Sequence, residues 1–379
     1  MSQSETSADQ VRMDYENLVR TMMYPFPVIP RSLYMDVFNR RSCGLCVLIQ
    51  VKNKEVWYYD PRAIHRKAQV FHQIRVREAL FWTIEAVKRN RIDDVEFVLN
   101  VADSVITTDR PHNYRLAESE PLPRPIVGAT WCNFSSSLPY PIFFYDLLRR
   151  AFPSKLQYRR LRTLDEWEDR VLQYLSGEGT EWSKKSPKAI FRGANRDSQY
   201  VLPEDKNASC FKVGRSKLHR IGRQNTDVLD VVTTGSCGGQ KIGQAAQYTL
   251  FLQQSYKYQI YVDGNGFWAD RLPLLLFSQS CPVKQITPCQ LFFEPLLKAW
   301  EHYIPTDYFF DDLVDNMKRT TDVHAREMAV RSQLWAKDYL SFNSIVTYAE
   351  VFLAQLGERL ENRNFAIPRK AFKVFPVLS

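Results

Sequence analysis

Long apolar runs are missing: no uninterrupted stretch in the 379 residues reaches the ~20 that a membrane-spanning helix needs. The start, Met1 to Gln10, is polar and has neither the basic opening nor the apolar run of a signal peptide. No RNA-recognition, zinc-finger or helix-turn-helix signature surrounds the densest basic clusters, Arg149-Arg150 and Lys155 to Arg162, so a nucleic-acid partner is not expected. Cys43-Gly-Leu-Cys46 has redox or zinc spacing. No second CxxC and no nearby His pair completes a metal site, which leaves a local disulfide or two ordinary thiols. The seven cysteines are odd in number, so at least one is free or paired with another chain if the rest form disulfides. Internal repeats and low-complexity tracts are also absent.

What is present is a core-forming composition: 45% apolar and 13% aromatic residues, spread from end to end. At 379 residues the chain exceeds the size at which one hydrophobic core keeps growing, so two domains sharing a cleft are expected. A formal charge of +9 calls for an anionic partner, whether nucleic acid, acidic membrane or nucleotide phosphate, without choosing among them.

The pattern along the chain fills in that outline. Residues 1–10 read as a mobile tail, and the stretch to Phe38 as irregular packing. Cys46 to Val51 and Glu55 to Tyr59 predict a hairpin, and Ile74, Leu80, Ile84 and Val87 predict a helix over Gln69 to Asn90. Val95 to Val101 is a β-branched strand that ends at Ala102-Asp103, which puts an acid at the carboxyl edge where open α/β sheets gather ligands. A strand over Ile126 to Trp131 and a helix over Ile142 to Arg150 follow, then a linker, Phe152 to Arg162. Beyond it come a helix over Leu164 to Leu175, strands at Lys188 to Phe191, Val228 to Val232, Tyr258 to Val262 and Val283 to Ile286, and helices at Trp268 to Phe277 and Phe292 to Trp300. Helical patterns at Asp311 to Lys318, Ala325 to Tyr339 and Ile345 to Glu361 close the chain. Two parallel-sheet α/β domains result, an N-terminal one over 11–150 and a C-terminal one over 151–340, with residues 341–379 bracing both.

Two segments have the chemistry of an anion site. In Tyr256 to Arg271 a strand runs into a turn containing Gly264 and Gly266, where the backbone can approach a ligand closely and Arg271 can bind phosphate oxygens in bidentate fashion. In Ile190 to Arg196, Arg192 and Arg196 flank a small-residue turn at a strand end. They form either a diphosphate clamp or ion pairs with nearby carboxylates such as Asp197.

Taken together these segments resemble the CAP10 domain of the protein O-glucosyltransferases and their capsule xylosyltransferase relatives, glycosyltransferase family 90. The similarity rests on Lys188-Ala-Ile-Phe-Arg-Gly193, on Tyr256-Lys-Tyr258 with Asp263-Gly-Asn265 and Arg271, and on Phe292 to Pro305, and runs from about Val70 to Phe352. It implies an α/β, GT-B-like fold of two Rossmann-type domains facing a cleft, with C-terminal bracing helices. It also implies inversion at the sugar carbon, a UDP-sugar donor and no cofactor or divalent metal, and the sequence contains no Asp-x-Asp. The acceptor would be a protein or polysaccharide, and the compartment the endoplasmic reticulum or Golgi lumen, although neither a signal peptide nor a KDEL-like ending is present. A missing N-terminal targeting segment would account for that.

Carried over residue by residue, Asp103 in Asn100-Val-Ala-Asp103 corresponds to the catalytic base. Donor binding falls to Arg192, Gly193, Arg196, Asp263, Gly264, Asn265, Gly266, Phe267, Trp268, Ala269 and Arg271. Ala194 replaces a donor-contacting Ser, the Asp263 to Arg271 loop is one residue longer, and Ser135-Ser-Ser replaces glycines in the acceptor loop. His302 is read as a structural hydrogen-bonding residue. The rival reading is a non-catalytic scaffold of the same fold that binds a nucleotide sugar or glycan.

Overall fold

The computed structural model describes residues 6–39, 43, 45–61, 70–103, 124–132, 135, 137–144, 181–195, 212, 214–237, 240–243, 252–264, 266 and 268–374. The linker expected at Phe152 to Arg162, the helix at Leu164 to Leu175 and all but the start of the one at Ile142 to Arg150 lie outside them.

One six-stranded sheet has the order β14-β2-β1-β3-β4-β6. Its strands are β1 (Cys46–Lys52), β2 (Glu55–Tyr59), β3 (Val95–Asn100), β4 (Val127–Gly128), β6 (Leu138–Pro139) and β14 (Phe372–Val374). It is mixed where a parallel sheet was expected: β3, β4 and β6 run parallel, while β1 pairs antiparallel with both β2 and β3. The β1–β2 hairpin turns on Asn53 and Lys54, both with positive φ, as a tight turn matched to strand twist demands. Every residue of β3 is buried, the Glu96 carboxylate included, and its lone pairs are taken by Arg31, Tyr34 (2.7 Å) and Gln50 (2.8 Å).

The second sheet has the order β13-β11-β10-β7-β8-β9. Its strands are β7 (Ser186–Ala194), β8 (Leu229–Cys237), β9 (Gln240–Gly243), β10 (Tyr256–Tyr261), β11 (Cys281–Gln285) and β13 (Ile304–Thr306). Apart from the antiparallel edge strand β9, all its pairings are parallel. The chain leaves β7 for β8 on one side and then returns to β10 on the other, so the strand order reverses between β7 and β10. That reversal is the topological switch point, the crevice in which doubly wound sheets bind ligands. A third, two-stranded pairing joins β5 (Trp131–Cys132) to β12 (Cys289–Gln290), with a Cys132–Cys289 disulfide across it. The Cys43–Cys46 pair is also a disulfide, and Cys281 is buried as a free thiol.

The N-terminal stretch differs from expectation. Instead of a tail and irregular packing, residues 8–22 form a helix, Ala8–Met22, whose first turn is capped by Ser7 accepting from the Gln10 amide. A second helix, Arg31–Asn39, starts directly after Pro30. Phe292 to Trp300 forms only a short 3-10 turn, Glu294–Leu296, with Pro295 in its first turn and Glu294 drawn inward to pair with buried Lys284 at 2.8 Å. Helix Asp322–Tyr339, capped by Thr321, buries Ala325, Met328, Ala329, Ser332, Trp335, Ala336 and Tyr339 at three- and four-residue spacing. Ala325, Met328 and Ala329 pack into the core under the second sheet, whereas Trp335, Ala336 and Tyr339 pack into the core under the first. Helix Phe342–Arg359 and strand β14 return to the first sheet's side, with Val351, Phe352 and Leu356 in its core. No helix among the described residues is long and apolar enough to cross a membrane.

Candidate active site

Asp103 stands just past the end of β3. The chain turns there because the Asn100 side chain accepts the Ala102 amide at 3.0 Å, an Asx-type turn that swings the next residue out of the ladder. Helix Val70–Lys88 brings Arg75 to meet it. Its Nη2 donates to Asp103 Oδ1 at 2.6 Å and its Nη1 to the Val101 carbonyl at 2.8 Å. The Arg75 side chain is buried, with 9% of its surface exposed, while that of Asp103 keeps 32%.

At the switch point, β7 ends in Arg192-Gly193-Ala194 and β10 leads through Val262 into Asp263-Gly264. The two turns are held together by Arg215, from the first turn of helix Gly214–Gln224. It donates to the carbonyls of Ala194 and Asp263, both at 2.9 Å, and lies over the Phe191 ring. The Arg271 guanidinium also lies over Phe191, 5.1 Å from the centroid, and donates to the Arg192 carbonyl at 2.9 Å. The Gly264 amide closes a tight turn onto the Trp268 carbonyl at 2.8 Å. A Cβ at Gly264 would sit 2.9 Å from that oxygen, so only glycine fits. From the same loop the Trp268 indole donates to the Asp103 backbone carbonyl at 2.7 Å and stacks on the Arg75 guanidinium, 5.2 Å from its ring centroid. The expected base and the expected donor loop are thereby in direct contact.

Other sequence assignments sit differently. Arg192 is buried and turned to Asp230, meeting its Oδ1 at 2.7 Å and its carbonyl at 2.6 Å, while Tyr256 donates to the other carboxylate oxygen at 2.5 Å; Asp197 lies outside the described residues. The helix expected from Trp268 begins only at Leu272. Two amides read as facing a diphosphate are engaged internally, Gly264 as above and Ala269 to the Tyr261 hydroxyl at 2.9 Å. Gly193 lies against the Phe191 ring and the Arg215 guanidinium, and Gly266 has a φ of 149°. Arg196, Asn265 and Phe267 lie outside the described residues.

The electrostatics follow burial. Asp263 is pushed up to about 6 by desolvation, which the Arg215 cation and a hydrogen bond from Tyr308 at 3.2 Å only partly offset. His72, one turn before Arg75, is lowered to about 4, first by burial and then by the Arg75 charge, against an opposing pull from Asp103. His302 is likewise lowered to about 4 by burial, and its Nδ1 accepts the Lys298 amide at 3.0 Å, a structural use. Among the described residues no three His, Cys, Asp or Glu side chains converge as metal ligands would.

Sequence reasoning missed Arg75 and Arg215. Both are helix arginines that reach strand ends distant in sequence, Arg75 the Val101 carbonyl and the Asp103 carboxylate, Arg215 the carbonyls of Ala194 and Asp263, and no local motif marks either.

A doubly wound sheet with Arg215 and Arg271 at its switch point, whose following loop touches the backbone of an acid from a second sheet, is an arrangement suited to an anionic ligand. The chain belongs to glycosyl transferase family 90, whose sequence model matches residues 32–377. It is similar to human protein O-glucosyltransferase 3, with 28% identity over 72% of this chain and 48% of the relative. It is similar to protein O-glucosyltransferase 2 of Danio rerio, with 26% identity over 84% of this chain and 56% of the relative. Uncharacterized protein 035R of Invertebrate iridescent virus 3 shares 26% identity over 73% of this chain and 26% of its own length. The chain spans about half the length of the O-glucosyltransferases it matches.

Proposed function

We propose that this chain is an inverting, metal-independent glycosyltransferase that moves glucose or xylose from a UDP-sugar to a hydroxyl of a protein or glycan acceptor, with its two sheets as the two domains of a GT-B-like fold. The observation that carries the reading is the Trp268–Asp103 hydrogen bond, which joins the loop at the switch point to the backbone of the strand-end acid. The acceptor oxygen attacks the anomeric carbon while its proton passes to the Asp103 carboxylate. The bond from that carbon to the diphosphate oxygen breaks on the opposite face, and UDP leaves with the electron pair. Arg271, Arg196 and the amides of the turn between Gly264 and Ala269 stabilise the charge growing on the diphosphate. Arg215 and Arg192 act one step back. The first locks the two strand-end turns together, and the second is neutralised by Asp230. The two disulfides fit an oxidising compartment such as a secretory lumen.

The test is a donor screen with UDP-glucose, UDP-xylose and UDP-galactose, reading UDP release with and without EDTA. Turnover of one donor that survives chelation is expected. Activity that EDTA removes and Mn²⁺ restores would overturn the metal-independent mechanism. UDP binding without turnover of any donor would favour the scaffold reading.

A further inference from the structure

Arg75 belongs to none of the motifs that marked the site, yet it makes the closest charged contact to Asp103 among the described residues. Three contacts fix its guanidinium: the Asp103 carboxylate at 2.6 Å, the Val101 carbonyl at 2.8 Å and the face of the Trp268 ring. A planar fork held this way has one orientation, and it dictates where Asp103 Oδ1 points. A cation at 2.6 Å with little solvent around it also favours the ionised form of the acid it touches.

Resting on the function proposed above, we propose that Arg75 is a positioning residue for the transfer step: it keeps Asp103 ionised and aimed. Trp268 contributes from the donor loop by stacking on the guanidinium and hydrogen-bonding the Asp103 backbone, so the loop that meets the donor also sets the base. The groups facing Asp103 are few among the described residues. Arg75 and His72 come from helix Val70–Lys88, the non-titrating Asn100 turn from β3, and the non-titrating indole of Trp268 from the loop.

The test is the pH profile of kcat/KM for Arg75→Met and Arg75→Lys, with UDP affinity by calorimetry and the melting temperature measured alongside. Removing the cation raises the pKa of Asp103, so the acid limb of the Met variant should move to higher pH by about one unit or more, and Lys should restore part of the shift. UDP affinity should stay within about threefold of wild type. Should the Met variant not fold, Arg75→Gln, which retains a donor but no charge, carries the same measurement. His72 titrates in the same acid range, so the comparison is repeated in a His72→Gln background, where the shift should persist. An unmoved acid limb with uniformly lower kcat, or a shift that vanishes with His72, would overturn the assignment of Arg75 alone. A wild-type protein that binds no UDP and turns over no donor would overturn it together with the function on which it rests.

Discussion

Arg215 Nε donates to the Asp263 carbonyl at 2.9 Å, while its Nη1 reaches the Ala194 carbonyl at the same distance on the neighbouring strand end. One buried side chain thus spans the crevice where the strand order reverses. Arg215→Lys keeps the charge but cannot hold both carbonyls in a fork. The expected outcome is a melting temperature several degrees lower and UDP affinity weakened by roughly tenfold, as for the loss of a charge-assisted contact. Unchanged calorimetric affinity would remove Arg215 from the support of the donor site.

Asp103→Asn keeps the size of the side chain and removes its basicity. As the base, it should lower kcat by roughly two to four orders of magnitude, with UDP affinity and melting temperature near wild type. A variant that turns over at the wild-type rate, or loses activity only by unfolding, would return Asp103 to a purely structural partnership with Arg75.

The Cys132–Cys289 disulfide closes a loop of 157 residues beside the β5–β12 pairing. Constraining so long a loop in the unfolded chain is worth about 2–5 kcal/mol. Replacing both cysteines by Ser should lower the urea midpoint correspondingly, and adding reductant should have no further effect at this bond. Equal midpoints for wild type and double variant under oxidising conditions would contradict this.

His302 gives the stability a pH dependence. Unfolded, the imidazole takes its proton near 6.5, whereas burial in the folded chain holds it neutral down to about 4. Its contribution is fully present above about 6.5 and is lost as the pH falls toward 4. His302→Gln, which retains an acceptor for the Lys298 amide, should therefore gain stability relative to wild type as the pH is lowered through that window. A stability difference that stays constant with pH would show that His302 does not titrate on unfolding.

The legible parts of the site were those with a local signature. Asp103 followed a β-branched strand, and Gly264, Trp268 and Arg271 belonged to one continuous strand-turn segment. Arg192 was legible as a strand-end cation, but its partner Asp230, which lies opposite Ile190 on β8, became known only with the register. Arg75 and Arg215 were invisible because helix arginines usually read as a solvated face, and nothing local says that a carbonyl from another strand waits beneath. The first helices were hidden by Pro25, Pro27 and Pro30, which crowd the connection between them, although both helices stop short of those residues or start after them. The mixed character of the first sheet followed from β1 and β3 pairing antiparallel across a helix, a long-range choice that strand patterns do not encode.

Helix Asp322–Tyr339 furnishes residues to both hydrophobic cores, so neither sheet owns it. A cut at the boundary that sequence alone would draw, after residue 150, leaves this helix with the second sheet and strips Trp335, Ala336 and Tyr339 from the core of the first. The half without the helix therefore loses part of its own interior, while the other exposes the apolar surface that filled it. Melting should proceed as one event, and chimeras that swap one half for a relative's will have to carry this helix with both of the surfaces it fills.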